Sequence, residues 1–130
     1  MTSPSTTDSV AALIARLREA TGGNTELDAY IHLAVTPELA DSHVREGSGW
    51  IIGGNHESPT YAPPYTASID AALTLLPDKW SWRCNASENR LHSTAIVGRS
   101  YPTNANASAE HSSPAIALCI AALEARRQTP

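Results

Sequence analysis

The residues of this chain best suited to chemistry are four basic groups in its second half, Arg83, Arg90, His92 and Arg99, together with the aromatic rings of Tyr61, Tyr65, Trp80 and Tyr101. A guanidinium takes a phosphate or carboxylate through two parallel hydrogen bonds, and an aromatic face stacks on a base for about 1–3 kcal/mol. Together they suggest a site for a small anionic, nucleotide-like ligand. The competing explanation is a solvated outer strand face, a common pattern where a sheet is covered on one side.

Other chemistries are not specified. The five histidines, His32, His43, His56, His92 and His111, have no pair three to five residues apart, and neither Cys84 nor Cys119 has a cysteine neighbour, so no metal site is expected. His56-Glu57 lacks the second histidine of a zinc protease, and Gly53-Gly54 lacks the Lys-Ser/Thr of a phosphate-binding loop. Ser68, Asp70 and His92 can be drawn as a hydrolase triad, but no G-x-S-x-G elbow is present, and Ser68 and Asp70 suit a helix cap and its dipole partner. A non-enzyme without cofactor is expected. The net charge of −4 argues against extended nucleic acid. Residues 1–57 hold eight acids and three bases, and residues 58–130 five acids and six bases, which keeps a small anion in play.

Those groups need elements to position them. Pro63 and Pro64 hold the chain extended, after which Thr66 or Ser68 can cap a helix with Ile69, Ala72, Leu73 and Leu76 on one stripe, ended by Pro77. Alternation then predicts a half-buried strand with Trp80, Trp82 and Cys84 on one face and Ser81, Arg83 and Asn85 on the other. A hairpin connection through residues 85–90 leads to a return strand over Leu91 to Gly98, with Leu91, Ser93, Ala95 and Val97 facing one way and His92, Thr94 and Ile96 the other. Residues 99–112 read as a polar loop. Ser113-Pro114 opens a last helix to about Arg127, apolar on two stripes, one of Ile116, Cys119, Ile120 and Leu123 and one of Ala115, Leu118, Ala122 and Ala125. Its second cover is another helix or another subunit, and on that ground a homo-oligomer, a dimer, is expected.

Residues 1–6 read as a disordered lead-in, followed by one domain over 7–130. Asp8 caps a first helix with Val10, Leu13, Ile14 and Leu17 inward, and Gly22-Gly23 end it at positive φ. Thr25 with Asp28 resembles a capping box for a second helix whose inner face is Leu27, Tyr30, Ile31 and Ala34. Residues 36–64 have no period, though Trp50-Ile51-Ile52 suits a short strand. A content of 42% apolar residues suffices for a core, no run is long enough to span a membrane, and MTSPSTTDSV lacks the features of a signal peptide, so a soluble cytoplasmic protein is expected. The expected fold is α/β (α+β), a mainly antiparallel sheet of three or four strands with helices on both faces.

Three segments, TGGNTELDAYIHLAV, PPYTASIDAALTLLPDKWSW and SSPAIALCIAALEARR, resemble the phage ABA sandwich domain family. The resemblance implies a phage or prophage origin and a small sheet with helices on both faces, and it transfers no catalytic residue. The expected role is a non-catalytic phage accessory that binds and sequesters a small anionic ligand, such as a nucleotide signal of host antiviral defence. The alternative is a structural or protein-interaction accessory of the phage. A nucleotide-cleaving enzyme requires an acid–base pair that the sequence does not single out.

Overall fold

The computed structural model describes residues 6–39, 41–45, 47–53, 60–86, 93–100 and 104–128. Residues 1–5 of the expected lead-in, and Arg90, His92 and Tyr101 of the expected site, lie outside them. The elements are helices α1 (Thr6–Glu19) and α2 (Thr25–Val35), a 3-10 turn (Pro37–Leu39), strands β1 (Ser42–Val44), β2 (Trp50–Gly53) and β3 (Thr60–Tyr61), helix α3 (Ile69–Leu73), strands β4 (Ser81–Ala86), β5 (Ser93–Arg99) and β6 (Ala105–His111), and helix α4 (Pro114–Gln128). Two antiparallel three-stranded sheets form, β1-β2-β3 and β4-β5-β6.

The class is the expected one, a small mixed α/β sandwich with antiparallel strands, but two sheets flank the helices where one sheet with helices on both faces is expected from the sequence. Its layers are ordered sheet, helices, sheet: α4 packs on β5 and β6, α1 and α3 pack on α4, and α2 packs on α1 and on β1 and β2. The sheet β4-β5-β6 therefore receives α4 on one face. On its other face Ser81, Arg83, Asn85, Asn106, Ser108 and Glu110 are exposed.

The helices follow their stripes. Val10, Leu13, Ile14 and Leu17 of α1 are all buried, and so is every residue of α4 from Ala115 to Leu123. Each large aliphatic among them contributes about 1.5–3 kcal/mol by leaving water. The second cover of α4 is α1 and α3 of the same chain, so this helix does not itself call for a second copy.

Several local expectations are corrected. Helix α1 begins at Thr6, which places Asp8 inside its first turn. Gly22 and Gly23 are not at positive φ. The glycine requirement at 23 is one of space, because a Cβ there would stand 3.0 Å from Ala67 Cβ. The N-cap of α2 is Asn24, whose side chain accepts from the Leu27 N–H, and Asp28 is turned to another partner. Ser68 does cap α3, but the helix ends at Leu73 and Leu75 beyond it is fully buried. The polar segment 99–112 contains a whole strand, β6, whose Ala105, Ala107 and Ala109 alternate with Asn106, Ser108 and Glu110. Trp82 points to the expected face yet is 47% exposed, because β4 is an edge strand and no strand among the described residues pairs along that flank.

Candidate functional site

Trp80 enters the core from a tight turn in which its N–H bonds the Pro77 carbonyl and Lys79 takes a left-handed φ of 71°. A lysine seldom holds that conformation, and the turn it makes swings the indole inward, leaving Trp80 7% exposed. Arg99 ends β5, paired across the ladder with Ala105 of β6. Because Ser81 pairs with Gly98, Trp80 and Arg99 meet one step further along, and Arg99 shares the inward parity of Ala95 and Val97. Its guanidinium carbon stands 5.4 Å from the centre of the Trp80 ring. A cation over an aromatic face gains roughly 0.5–2 kcal/mol.

One nitrogen of each group lacks a partner. Trp80 Nε1 and Arg99 Nε are buried without a hydrogen-bond partner. No carboxylate among the described residues forms an ion pair with Arg99. The same end of the sheet receives the last turn of α4, where the Gln128 side chain donates to the Asn106 carbonyl at 2.9 Å and Arg126 Nε donates to the Leu75 carbonyl at 2.6 Å. The result is two buried, unpartnered donors, one of them on a charged group, on side chains that face each other.

No family model, curated protein or solved structure matches this chain.

The other expected site residues are dispersed. Tyr61 lies in the other sheet, 3.9 Å from Trp50 between ring centres. Tyr65 is buried and its hydroxyl bonds His32 Nδ1 at 3.0 Å. Arg83 is exposed on the outward face of β4, opposite in parity to Trp80. Trp80 presents its ring to Arg99 and is nearly enclosed, so it offers no open face for a stacked base. Of the described members, only Trp80 and Arg99 are brought together. Parity carries that signal in the sequence: Arg99 continues the inward series of β5, whereas Arg83 belongs to the outward series of β4.

A second polar cluster, not foreseen, joins α2 to the turn before α3. Asp28 Oδ1 accepts from Thr66 N–H at 2.8 Å and from Thr66 Oγ1 at 2.7 Å, and Thr66 Oγ1 accepts from Asn24 N–H at 2.7 Å. Burial pushes the Asp28 carboxyl above its ordinary range, against the pull of the Thr66 hydrogen bonds. Nearby, Cys119 Sγ–H donates to the Tyr65 carbonyl, and burial, with a further push from the Asp28 charge, raises the thiol to about 12. A thiol held there is no nucleophile at neutral pH. His32 is lowered by burial, which suits a neutral ring accepting the Tyr65 proton. His111 is likewise consumed structurally, between the Ala20 carbonyl and the Ser113 N–H. No group of three His, Cys, Asp or Glu among the described residues is placed to hold a metal. No helix among them is long and apolar enough to cross a membrane.

Proposed function

We propose that this chain is a non-catalytic binding protein for a small anionic ligand, with Arg99 and Trp80 taking the anionic group. The observation that carries the reading is the pair of buried, unpartnered donors in contact through a guanidinium and an indole. Leaving a buried donor unmade costs about 1–3 kcal/mol, and more for a charged group, so an oxygen anion arriving there recovers that energy. Phosphate and carboxylate share the required chemistry. The phage setting, and sequestration of a nucleotide signal of host defence as the purpose, rest on the resemblance of three segments and on the arginines.

Calorimetry with inorganic phosphate, acetate and a panel of linear and cyclic nucleotides tests the reading. Binding by the wild-type chain that is lost in Arg99→Gln, with the ligand recovered unchanged after long incubation, is the expected result. A hydrolysed product would make the protein an enzyme, and silence across the whole panel would remove the anion site.

The second reading, a protein-interaction accessory, is favoured by exposed aromatic residues on edge strands, Trp82 on β4 and Tyr61 on β3. Capture of a phage or host protein by the wild-type chain, lost on Trp82→Lys or Tyr61→Lys, would decide for it.

A further inference from the structure

The outward faces of the two sheets are not alike. On β4-β5-β6 the outward residues are ordinary polar ones, with Arg83 and Glu110 bringing one charge of each sign. On β1-β2-β3 the inward series holds Val44 and Ile51, both buried, so the opposite parity faces out: His43 on β1 and Arg45 just past it, Trp50 and Ile52 on β2, and Tyr61 on β3. Arg45 continues the register of β1, its N–H bonding the Trp50 carbonyl at 2.9 Å, and Trp50 pairs with Tyr61. One row across the face therefore reads Arg45, Trp50, Tyr61, and the next reads His43, Ile52.

A sheet face turned to water carries polar residues, whereas this one carries two aromatic rings and an isoleucine. The Trp50 and Tyr61 ring centres stand 3.9 Å apart at an interplanar angle of 46°, and Tyr61 is 56% exposed, so its ring is open to a stacked group. Charge then selects the occupant. Neither row holds a carboxylate, Asp41 of the same parity precedes β1 and lies two rows from Arg45, and the Arg45 guanidinium has no side-chain partner among the described residues. A guanidinium offers donors and no acceptor, which fits phosphate oxygens better than the hydroxyls of a sugar, whose protons need acceptors. Neighbouring strands lie about 4.8 Å apart, so the row from Arg45 to Tyr61 spans about 10 Å, room for one base and its phosphate. The net charge of −4 argues against a longer strand.

We propose that the outer face of β1-β2-β3 binds one nucleoside phosphate, its base stacked on the Tyr61 ring beside Trp50 and its phosphate held by Arg45. Aromatic side chains on a sheet face stack bases whatever their identity, because every base has a π-face. The site is separate from Trp80 and Arg99, which lie at the other sheet, across the helix layer, and admit an anionic group without a base.

The indole N–H signals of the full chain in two-dimensional NMR, assigned with Trp50→Phe, Trp80→Phe and Trp82→Phe, test the site. Adenosine 5′-monophosphate is expected to move the Trp50 signal saturably. Ribose 5-phosphate, which lacks the base, should do so at least about tenfold more weakly, and adenosine, which lacks the phosphate, about three- to tenfold more weakly. Tyr61 and Arg45 are exposed, so their replacement leaves the fold intact, as far-UV circular dichroism would verify. Tyr61→Ala is expected to weaken the nucleotide at least about fivefold, and Arg45→Gln to bring it down to the affinity of adenosine. Arg99→Gln should leave the Trp50 response as it is, which keeps this site distinct from the anion site. A Trp50 signal that stays in place up to about 10 mM nucleotide, an equal response to ribose 5-phosphate or to maltose, or a response indifferent to Tyr61→Ala and Arg45→Gln each overturns the proposal.

Discussion

The cluster of Asp28, Thr66, Tyr65 and His32 and the pair of Trp80 and Arg99 are both polar groups withdrawn from water, and they have been finished differently. In the first, Asp28 and Thr66 hold each other, Tyr65 holds His32, and the effect is to fasten α2 to the turn before α3. In the second, a buried indole N–H and a buried guanidinium Nε face inward with no acceptor. Closed polar networks give rigidity, and open ones are where an outside group gains most by arriving. Residues that look like an active centre by type, an aspartate, a histidine, a tyrosine and a cysteine, thus do the structural task. The plainer pair is the candidate site.

That contrast can be broken from the closed side first. Asp28→Ala leaves the buried Thr66 N–H without its acceptor and the Thr66 hydroxyl with only the Asn24 carbonyl, and is expected to destabilise the fold by about 1–3 kcal/mol in urea unfolding, while anion binding at Arg99 is unchanged. The open side can be closed in turn. Ala105 is directly opposite Arg99, so Ala105→Glu supplies an internal carboxylate, and binding of phosphate should fall at least about tenfold while stability is kept or raised by about 1 kcal/mol. Trp80→Phe removes the indole donor and keeps an aromatic face. Stability should stay within about 1 kcal/mol while anion affinity drops, a split that separates ligand recognition from packing.

The smallest effect is in pH. Burial lowers the His32 pKa in the folded state below its ordinary value near 6.5, so the stability linked to its neutral form is present above that value and is lost as pH falls through the folded value. Asp28 runs the other way. Its raised folded pKa gives a contribution that is present below the ordinary value near 3.8 and lost as pH rises through the raised one. Thermal melts from pH 7 down to pH 5 should therefore show a slope that His32→Asn flattens, and the substitution should leave the slope unchanged if His32 titrates in the fold as it does in the unfolded chain.

Legibility in the sequence divided along physical lines. The stripe of α1, the Ser113-Pro114 opening of α4 and the opposite faces of β4 and β5 depend on neighbours a few residues away, and periodicity reports such neighbours. Strand β6 was hidden because Ala, Ser and Asn are poor strand formers, and β5 and α4 hold it in place. Its alanine alternation was the one local sign. Asp28 three residues after Thr25 imitates a capping box, and only the fold reveals that Thr66, far along the chain, claims it. Alternation likewise put Trp82 on the correct face but could not tell that β4 is an edge strand of the described sheet. For the site, sequence supplied Arg99 and Trp80 but not their separation from Arg83, Tyr61 and Tyr65, since distance across a sandwich leaves no trace in spacing.

The order in which the chain is made adds a consequence for how it matures. Strands β4, β5 and β6 and helix α4 are consecutive, each packing on a near neighbour, so the C-terminal half can assemble from short-range contacts as soon as it is complete. Helix α1 packs on α4, which is made some hundred residues later. On the ribosome its stripe of Val10, Leu13, Ile14 and Leu17 must wait, uncovered on that side, until α4 has emerged. Helix α1 is thereby exposed to chaperones and proteases until α4 is made, and a truncation that spares Trp80 and Arg99 but removes α4 leaves a nascent chain that cannot bury the stripe of α1.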